Sequence, residues 1–307
     1  MKDCAVLLAS YNGIRFLPEQ VRSIALQSHA DINLYISDDG STDGSAEFCL
    51  EQQAQWKKGA FVLLKGPKLG LAAENFRSLI LNPDLDAEYF AFCDQDDVWM
   101  PGKIEAAIAR LEGLPRDVPA MHCSRTRIID EHDRDVGQSH YFPHAPHFRN
   151  ALVQSLAGAN TMVINRAGFE LLRKTAARGS FAMHDWWAYI IISGAGGTII
   201  YSETPDTLYR QHRGNIFGSN RGILAMAARV KMLFSGRYRN WNEKNLALLL
   251  ACQDYLLPEN VACLTAFAAA RRGNLVHRLV NLWRSKVFRQ SWDGQIMLYA
   301  ACVISRL

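Results

Sequence analysis

The chain has 307 residues, of which 49% are hydrophobic and 21% are charged. This balance excludes a wholly disordered or low-complexity protein, and the length fits one large domain or a domain with an appendage of about 100 residues. No run of about 18 apolar residues occurs, which argues against a transmembrane helix. The N-terminus lacks the cleavage site of a signal peptide, so we expect a cytoplasmic protein that is not exported.

The seven cysteines are widely spaced, and no two of them form a CxxC pair. An odd number with this spacing argues against a disulfide framework and against a zinc site. We therefore expect buried free thiols.

The charge is distributed unevenly along the chain, although the net charge is only +4. Residues 1–213 contain 21 Lys and Arg against 26 Asp and Glu, whereas residues 214–307 contain 13 against 4. An acidic first part and a basic tail predict two functional parts. The basic part has the charge to face nucleic acid, an anionic membrane or an acidic substrate.

Apolar runs alternate with amphipathic segments in the first 112 residues. Strands are predicted at 4–10, 32–37, 61–65 and 89–93, with helices at 14–28, in the segment ending near 55, at 71–82 and at 101–112. Strands that alternate with helices of this length predict right-handed βαβ units and a mostly parallel sheet. The fold class is therefore α/β.

The pattern is more mixed after residue 120. Strands are predicted at 120–129, 160–165, 197–201 and 206–210, with helices near 167–176 and 184–193. We expect these segments to extend the same sheet rather than to form a new domain. After residue 214 the pattern predicts helices alone, at 222–235, 242–256, 259–272 and 274–289.

Three polar clusters follow three of the predicted strands: Ser10-Tyr11-Asn12, Asp38-Asp39 and Asp94-Gln95-Asp96-Asp97. The carboxyl ends of parallel strands lie at one edge of a sheet, and ligands bind at that edge. The clusters therefore predict one binding crevice. Ordinary turn chemistry is the alternative, since Asp and Asn are common after strands.

The acidic cluster at 94–97 is the strongest chemical signal in the sequence. Three carboxylates within four residues repel one another unless a cation neutralises them. Mg²⁺ and Mn²⁺ prefer oxygen ligands of this kind and often bridge them to phosphate. The alternative is a solvated acidic turn that caps the helix beginning at Pro101.

Motifs of several other enzyme classes are absent from the sequence. It contains no Walker loop, no GxGxxG after the first strand and no GxSxG elbow. These absences weaken interpretations as a nucleotide hydrolase, a dinucleotide oxidoreductase or a hydrolase with a serine nucleophile.

Two further clusters carry candidate catalytic groups. Asp185 lies between His184 and two tryptophans, and apolar walls raise a carboxyl pKa toward the range of a general base. The alternative is that Asp185 caps a helix. Tyr209-Arg210-Gln211-His212 follows a short predicted strand, and it offers a metal ligand and phosphate partners.

These residues together resemble the family 2 glycosyltransferases, which are inverting enzymes with the GT-A fold, a Rossmann-like, mostly parallel sheet flanked by helices. The matching pieces are Ala9-Ser10-Tyr11-Asn12-Gly13, Asp38-Asp39-Gly40-Ser41-Thr42-Asp43, Gly70 with Asn75-Phe76, and Phe92 to Trp99. The motifs His-Asp-Trp-Trp and Tyr-Arg-Gln-His-x-x-Asn resemble those of a bacterial rhamnosyltransferase-like subgroup. The resemblance implies a catalytic domain at 1–215 and leaves 216–307 as a basic helical region.

The resemblance also implies roles for individual residues. The implied donor-binding residues are Ser10, Tyr11, Asn12, Asp38, Asp39, Asn75, Asp94, Asp96 and Arg210. Within this set Tyr11 would lie near the base and Asp39 would accept its N3–H. The implied ligands of Mg²⁺ or Mn²⁺ are Asp96, Asp97 and His212, and the implied base is Asp185. The reaction expected is inverting transfer of a sugar, such as rhamnose from dTDP-rhamnose, from a dTDP- or UDP-sugar to a saccharide acceptor of a surface polysaccharide.

Two other functions remain open at this stage. A nucleotidyltransferase also uses paired carboxylates, although the first strand is not followed by its usual Gly-rich loop. A binding module could hold nucleic acid with the basic tail, but no basic patch interleaved with aromatic residues supports this, so we expect no nucleic-acid partner.

The tail itself predicts contact with the inner face of the cytoplasmic membrane. Residues 271–289 combine six Lys and Arg with an apolar stripe at positions 275, 276, 279, 280, 283 and 287. Such a helix suits an anionic membrane surface, where a lipid-linked acceptor would be found. The alternative is that the stripe packs on the catalytic domain.

Overall fold

The computed structural model describes residues 2–212 and 236–307. The helix predicted at 222–235 lies outside the described residues, as do Arg213, Gly214 and Asn215 of the Tyr-Arg-Gln-His motif. All seven cysteines are buried free thiols, which confirms that prediction.

Eleven strands build two sheets in the described part of the chain. In chain order they are β1 (Cys4–Ser10), β2 (Ile32–Asp38), β3 (Phe61–Lys65), β4 (Tyr89–Cys93), β5 (Val98–Trp99), β6 (Ala120–Ser124), β7 (Arg127–Asp130), β8 (Asp135–Gln138), β9 (Val163–Asn165), β10 (Thr198–Ser202) and β11 (Thr207–Gln211).

The main sheet has the strand order β10-β6-β9-β4-β1-β2-β3. Strand β1 pairs in parallel with both β2 and β4, whereas β9 runs antiparallel to its neighbours β4 and β6. Residues 4–8 of β1 are fully buried, because helices cover both faces of the sheet. This mostly parallel, mixed sheet confirms the predicted α/β class.

The helices of the described residues are α1 (Leu17–Ala25), α2 (Ser45–Gln53), α3 (Ala72–Ile80), α4 (Lys103–Leu111), α5 (Phe148–Ala151), α6 (Arg166–Ala176), α7 (His184–Gly194), α8 (Arg237–Ala251), α9 (Pro258–Ala269), α10 (Leu275–Ser285) and α11 (Trp292–Val303). Short 3₁₀ turns lie at Ala159–Thr161 and Gln253–Tyr255.

The segment after residue 120 differs from the prediction in one respect. The predicted strand 120–129 is two strands, and its second half joins a separate sheet of order β5-β11-β7-β8. The chain leaves the main sheet after Ser124, whose hydroxyl donates to Asp206 Oδ1 at 2.8 Å. The expectation that all these strands extend one sheet is therefore wrong. The second sheet brings β11, with Arg210 and His212 at its end, beside the acidic cluster.

Two hydrophobic clusters cover the two faces of the main sheet. One contains residues of α1, α2 and α4, and the other contains residues of α3, α6 and α7 together with α8 to α11. Helix α7 is apolar on nearly all sides because neighbours surround it. The C-terminal helices α8 to α11 therefore share a core with the sheet, and the domain boundary at 215 remains a prediction.

Candidate active site at the carboxyl edge of the sheet

The strands β1, β2 and β4 end at one edge of the main sheet. Ser10 is in register with Asp38, and Leu8 is in register with Cys93, directly before the acidic cluster. The three polar clusters predicted from the sequence therefore meet at this edge.

Gln95 connects the acidic cluster to the end of β1. Its Oε1 accepts hydrogen bonds from Tyr11 N at 2.8 Å and from Ser10 Oγ at 3.3 Å, and its Nε2 donates to Tyr11 O at 3.1 Å. A Cβ on Gly13 would lie 2.2 Å from Gln95 Oε1, so only glycine leaves room for this side chain. Sequence reasoning missed the role of Gln95, although its position between two aspartates of a binding motif was a signal.

Asn12 connects the loop after β1 to the loop after β2. Its backbone N–H donates to Ser41 Oγ at 2.9 Å, and its Oδ1 accepts from Thr42 N at 2.9 Å. Its φ of +47° lies in the left-handed region that Asn tolerates better than most residues. The side chain of Tyr11 beside it remains half-exposed, in a position open to a ligand.

The two aspartates after β2 have different environments. The carboxylate of Asp38 accepts from Ser41 N at 2.9 Å and from Gly40 N at 3.2 Å, which is the turn chemistry considered above. The buried carboxylate of Asp39 accepts from Lys68 N at 2.6 Å and Gly70 N at 2.7 Å. Asp39 thus holds the loop after β3 at the crevice, and each of its oxygens keeps a further lone pair for a ligand.

Asn75 differs from its implied donor-binding role. It is 2% exposed, and its Nδ2 donates to Ser37 O at 3.0 Å while its Oδ1 accepts from Ser37 Oγ at 2.5 Å. Its amide is therefore used to join α3 to the end of β2 below the crevice. These contacts make Asn75 a support of the loops, and its implied contact with the donor remains a prediction.

The acidic cluster divides into one buried and two more accessible carboxyl groups. Asp97 is fully buried, with Oδ2 accepting from Asn160 Nδ2 at 2.5 Å and Oδ1 accepting from Arg210 N at 3.0 Å. Burial and the charges of Asp96 and Asp94 raise the pKa of Asp97 well above its usual range. The structure therefore shows Asp97 as a buried support of the acidic loop, and its implied role as a metal ligand remains a prediction.

Asp96 and His212 meet across the two sheets. Asp96 Oδ2 lies 2.7 Å from His212 Nε2, and both side chains remain partly exposed. The imidazole also lies against Phe16, with ring centroids 4.8 Å apart. The structure thus brings together the two residues that the sequence placed 116 positions apart as metal ligands.

Arg210 also differs from its implied role as a donor-binding residue. Its buried guanidinium donates from Nε to Asp96 O at 3.1 Å and from Nη2 to Glu19 Oε2 at 2.5 Å, and it also bonds Asp133. An arginine held by these partners fixes the acidic loop against α1 and the second sheet. These contacts give Arg210 a positioning role in the described residues, and its implied contact with the donor remains a prediction. Glu19 and Asp133 are partners that sequence reasoning missed.

Asp185 lies in the first turn of α7, but it is not the N-cap, which is Met183. Burial raises the pKa of Asp185 to about 6, partly offset by its hydrogen bond from Trp186 N at 2.7 Å. Its charge also contributes, after burial and Asp96, to raising the pKa of Asp94 to about 8. Asp185 and Asp94 therefore share one electrostatic environment, in which Asp94, with the higher pKa, holds its proton more tightly than Asp185.

The residues around Asp185 belong to the core. The ring of His184 stacks on Phe76 at a centroid distance of 3.6 Å, and burial lowers its pKa to about 3. Trp186 Nε1 donates to Ala151 O at 2.6 Å, and Trp187 Nε1 donates to Thr175 Oγ1 at 3.2 Å. These contacts fix the start of α7 in the core, whereas Asp185 remains partly exposed and close enough to Asp94 to affect its pKa.

The donor set at the crevice fits a divalent cation. One carboxylate and one imidazole suit Mn²⁺, and the carboxylate also suits Mg²⁺, with a diphosphate and water completing the coordination. Within residues 2–212 and 236–307, no group of three or more His, Cys, Asp and Glu is placed to hold a metal ion. The helix-cap alternative for the acidic cluster is not supported, since the N-cap of α4 is Gly102 without a side-chain cap.

Comparison with known proteins gives the family. The model described as Glycosyl transferase family 2 matches residues 5–176. The dTDP-rhamnosyl transferase RfbG of Shigella flexneri is 30% identical over 239 residues, which cover 76% of this chain and 81% of that protein. The putative teichuronic acid biosynthesis glycosyltransferase TuaG of Bacillus subtilis is 25% identical over 53% of this chain and 62% of its own length.

Solved structures share the fold at low sequence identity. Residues 1–349 of S. aureus TarS, solved with UDP-GlcNAc, superpose with a TM-score of 0.53 and 14% identity over 99% of this chain and 91% of that one. The mannosyltransferase PcManGT of Pyrobaculum calidifontis, solved with GDP-Man and Mn²⁺, gives 0.51 and 16% over 100% of this chain and 88% of that one. These neighbours confirm the predicted GT-A fold.

Proposed function

The chain belongs to the family 2 glycosyltransferases, and from this membership we propose that it transfers rhamnose from dTDP-rhamnose to a saccharide acceptor. The observation that carries the choice of sugar is the 30% identity with a dTDP-rhamnosyl transferase over most of both chains. A role in surface polysaccharide synthesis is part of the proposal, supported by the teichuronic acid enzyme among the relatives.

We assign the role of general base to Asp185. A carboxyl with a pKa of about 6 is mostly ionised at neutral pH and is still basic enough to take a proton. It would remove the proton of the acceptor hydroxyl as that oxygen attacks the anomeric carbon from the face opposite the leaving diphosphate. A single displacement of this kind inverts the configuration and requires no nucleophile from the enzyme.

We assign the cation site to Asp96 and His212. A bound Mg²⁺ or Mn²⁺ would neutralise the negative charge that develops on the departing nucleoside diphosphate. The protein holds this pair rigidly, because Arg210 fixes the backbone of Asp96 and Phe16 packs on the ring of His212. Asp97 supports the same loop from within the core, so the proposal places the cation on the more accessible pair, Asp96 and His212.

We propose that the donor nucleoside binds between the loops after β1 and β2. The half-exposed ring of Tyr11 offers a surface on which a base can stack, and Asp39 has an acceptor for an N3–H. Ser10, Asn12 and Asp38 shape this region through the hydrogen bonds between the loops. The donor is therefore expected to carry thymine or uracil.

The acceptor is proposed to be a saccharide carried on a membrane lipid, with the enzyme on the cytoplasmic side of that membrane. None of the helices in the described ranges is long and apolar enough to cross a bilayer. If the described residues attach the enzyme to the membrane, they would do so through a surface of the protein rather than through a membrane-spanning helix.

A nucleotide-binding measurement tests the proposal against a nucleotidyltransferase. We expect dTDP with Mn²⁺ to raise the melting temperature more than UDP or GDP, and a chelator to remove most of the increase. A nucleotidyltransferase would instead respond to dTTP and release pyrophosphate from dTTP and a sugar phosphate. Stabilisation by dTTP with pyrophosphate release, or no response to any of these nucleotides, would contradict the proposal.

A further inference from the structure

Helices α10 and α11 each present a stripe of large apolar side chains to solvent. On α10 the stripe consists of Val276, Val280 and Trp283, and on α11 it consists of Trp292, Ile296, Tyr299 and Val303. These positions repeat at intervals of three and four residues, so each set lies on one face of its helix. The indoles of Trp283 and Trp292 are the most exposed of these groups, at 71% and 78%.

The two helices form an antiparallel hairpin whose other faces are already occupied. Arg278, early in α10, donates from Nη2 to Val303 O, late in α11, at 3.1 Å. Leu282 on α10 and Leu298 on α11 are buried in the core. The exposed stripes are therefore additional to the faces that hold the hairpin in the fold.

The turn between the helices is fixed to the body of the protein. Gln290 Nε2 donates to His144 O at 3.0 Å, and Arg289 Nη1 donates to Val153 O at 2.8 Å. Trp283 and Trp292 flank this turn, so the two indoles lie at the same end of the hairpin. The fold holds the exposed face in a defined orientation.

The charge around the stripes is positive. Arg284 and Lys286 are exposed beside the turn, and Arg272 is exposed before α10. Residues 260–307 contain a single acidic residue, Asp293, against seven Lys and Arg. Large apolar side chains beside exposed cations match a surface that offers hydrocarbon below a layer of negative charge.

We propose that this face of α10 and α11 docks on an anionic phospholipid membrane, with Trp283 and Trp292 inserted at the boundary between headgroups and acyl chains. Indoles favour that boundary because they combine a large apolar ring with a polar N–H. Arg284 and Lys286 would lie against the phosphates. The inference does not require the proposed sugar or acceptor, although a lipid-carried acceptor would be reached from such a position.

A second copy of the chain is the other occupant that the apolar face would fit. A two-fold contact through this face would bring the cations of two copies to one interface, and residues 260–307 of each copy contribute only Asp293 as an acidic residue against seven Lys and Arg. An anionic surface compensates those charges, which is why the membrane is the occupant that we propose.

Vesicle co-sedimentation of the full chain tests the inference. We expect strong binding to mixed phosphatidylcholine–phosphatidylglycerol vesicles at low salt, and at least tenfold weaker binding to phosphatidylcholine alone. High salt should weaken the binding to the mixed vesicles without abolishing it, because salt does not screen the hydrophobic contribution to binding. Brominated lipids should quench the tryptophan fluorescence of the bound protein.

Two double variants separate the apolar and the charged contributions. Trp283→Ser with Trp292→Ser should weaken binding by roughly tenfold or more and remove the quenching by brominated lipids. Arg284→Gln with Lys286→Gln should weaken binding to the anionic vesicles by about tenfold and should leave the weak binding to neutral vesicles unchanged. Donor hydrolysis without vesicles should be unchanged in both, since neither pair lies at the crevice.

The matched controls lie on the catalytic part of the chain. Leu26→Ser with Leu50→Ser removes exposed apolar groups from the end of α1 and from α2, and Lys57→Gln with Arg116→Gln removes exposed cations, so both should bind vesicles like wild type. Equal losses in controls and test variants would overturn the inference. So would a wild-type chain that ignores vesicles, or a dimer in solution that the tryptophan variant converts to a monomer without any vesicle binding.

Discussion

The chemistry expected of Asp185 follows from its position as a single residue. The side chain lies at the start of a buried helix, where burial raises its pKa to about 6 and the N–H of Trp186 limits the rise. An exposed aspartate would be a weaker base, and a fully buried one would be protonated at neutral pH. The observed environment lies between these cases.

Replacing Asp185 by Asn tests its role directly. The variant keeps the size and most hydrogen bonds but cannot accept a proton, so the transfer rate should fall by about two to four orders of magnitude. Donor affinity should stay near that of wild type. Asp117→Asn, an exposed carboxyl elsewhere, serves as the control. A variant that turns over at a rate close to wild type would remove Asp185 from the mechanism.

The pH dependence of the rate should report the same group. Only the carboxylate form of Asp185 is a base, so the rate should fall about tenfold per pH unit below 6 and level off above it. In Asp185→Asn the residual rate should lose this dependence on acid. Between pH 6 and pH 4.5 the rate is expected to fall by about 30-fold. A wild-type profile that stays flat down to pH 4.5, while the protein remains folded, would argue against the assignment.

Substitutions of the neighbouring residues Asp96 and Asp97 are expected to have different effects, on metal binding in one case and on stability in the other. Asp96→Asn and His212→Ala should each lose most of the Mn²⁺-dependent affinity for dTDP while the melting temperature stays near wild type. Asp97→Asn should chiefly destabilise the fold, by about 1–3 kcal/mol, because it disturbs a buried hydrogen-bonded group. Titration calorimetry and thermal melts together measure both effects. A folded Asp97→Asn protein that alone loses the Mn²⁺ effect would restore Asp97 as the ligand.

At the scale of elements, the site consists of loops that hydrogen bonds join to one another. Gln95 ties the acidic loop to the end of β1, and Asn12 ties that end to the loop after β2. Asp39 in turn holds the loop after β3. These hydrogen bonds hold the loops of the crevice to one another.

Gly13→Ala tests this organisation. The new methyl group would overlap Gln95, whose side chain would have to leave Tyr11 and give up two hydrogen bonds. Donor affinity should fall by about tenfold, since each hydrogen bond contributes about 1 kcal/mol. Gly102→Ala, where a methyl group meets nothing within 4 Å, is the control. Equal donor affinity for the Gly13→Ala and wild-type proteins would show that Gln95 has no positioning role.

The elements that the sequence predicted well are those defined by their own side chains. The strands at 4–10, 61–65 and 89–93 have the predicted bounds, because each is a continuous apolar run ended by polar residues. The two-residue strand β5 depends on pairing with the distant strand β11, which local patterns do not show. Strand β8 is a short, exposed edge strand that pairs with β7 alone, so it has no apolar run that would predict it. Helix α11 was missed because its residues lack a clear amphipathic period.

The site was predictable in outline but not in its assignment of roles. Motifs identified the acidic cluster, Asp185 and His212. They did not show that Asn75, Asp97 and Arg210 are buried and use their polar groups within the protein, because burial depends on the packing of both sheets. Polar residues of a motif thus divided into those that face the crevice and those that support it.

At the scale of the whole molecule, the C-terminal helices complete the core of the catalytic part. Leu249, Leu264 and Phe267 are buried in the same cluster as Trp187 and Phe148. The tail therefore both stabilises the fold and presents the α10–α11 face. Of the stripe predicted from the sequence, Val287 is buried, so that residue follows the packing alternative.

Truncation tests the stabilising role. A chain ending at residue 215 would expose the apolar surface that α8 and α9 cover, so we expect it to be insoluble or to lose its cooperative thermal transition by circular dichroism. A chain ending at 215 that melts cooperatively near the wild-type temperature would instead support an independent domain with that boundary.

Donor hydrolysis by the full chain tests directly the proposal that dTDP-rhamnose is the sugar donor. With Mn²⁺ present, the purified protein should release dTDP from dTDP-rhamnose at least about tenfold faster than it releases UDP from UDP-GlcNAc or GDP from GDP-mannose. A chelator should suppress the release. Faster cleavage of UDP-GlcNAc or GDP-mannose, with dTDP-rhamnose left intact, would show that the enzyme uses a different sugar donor.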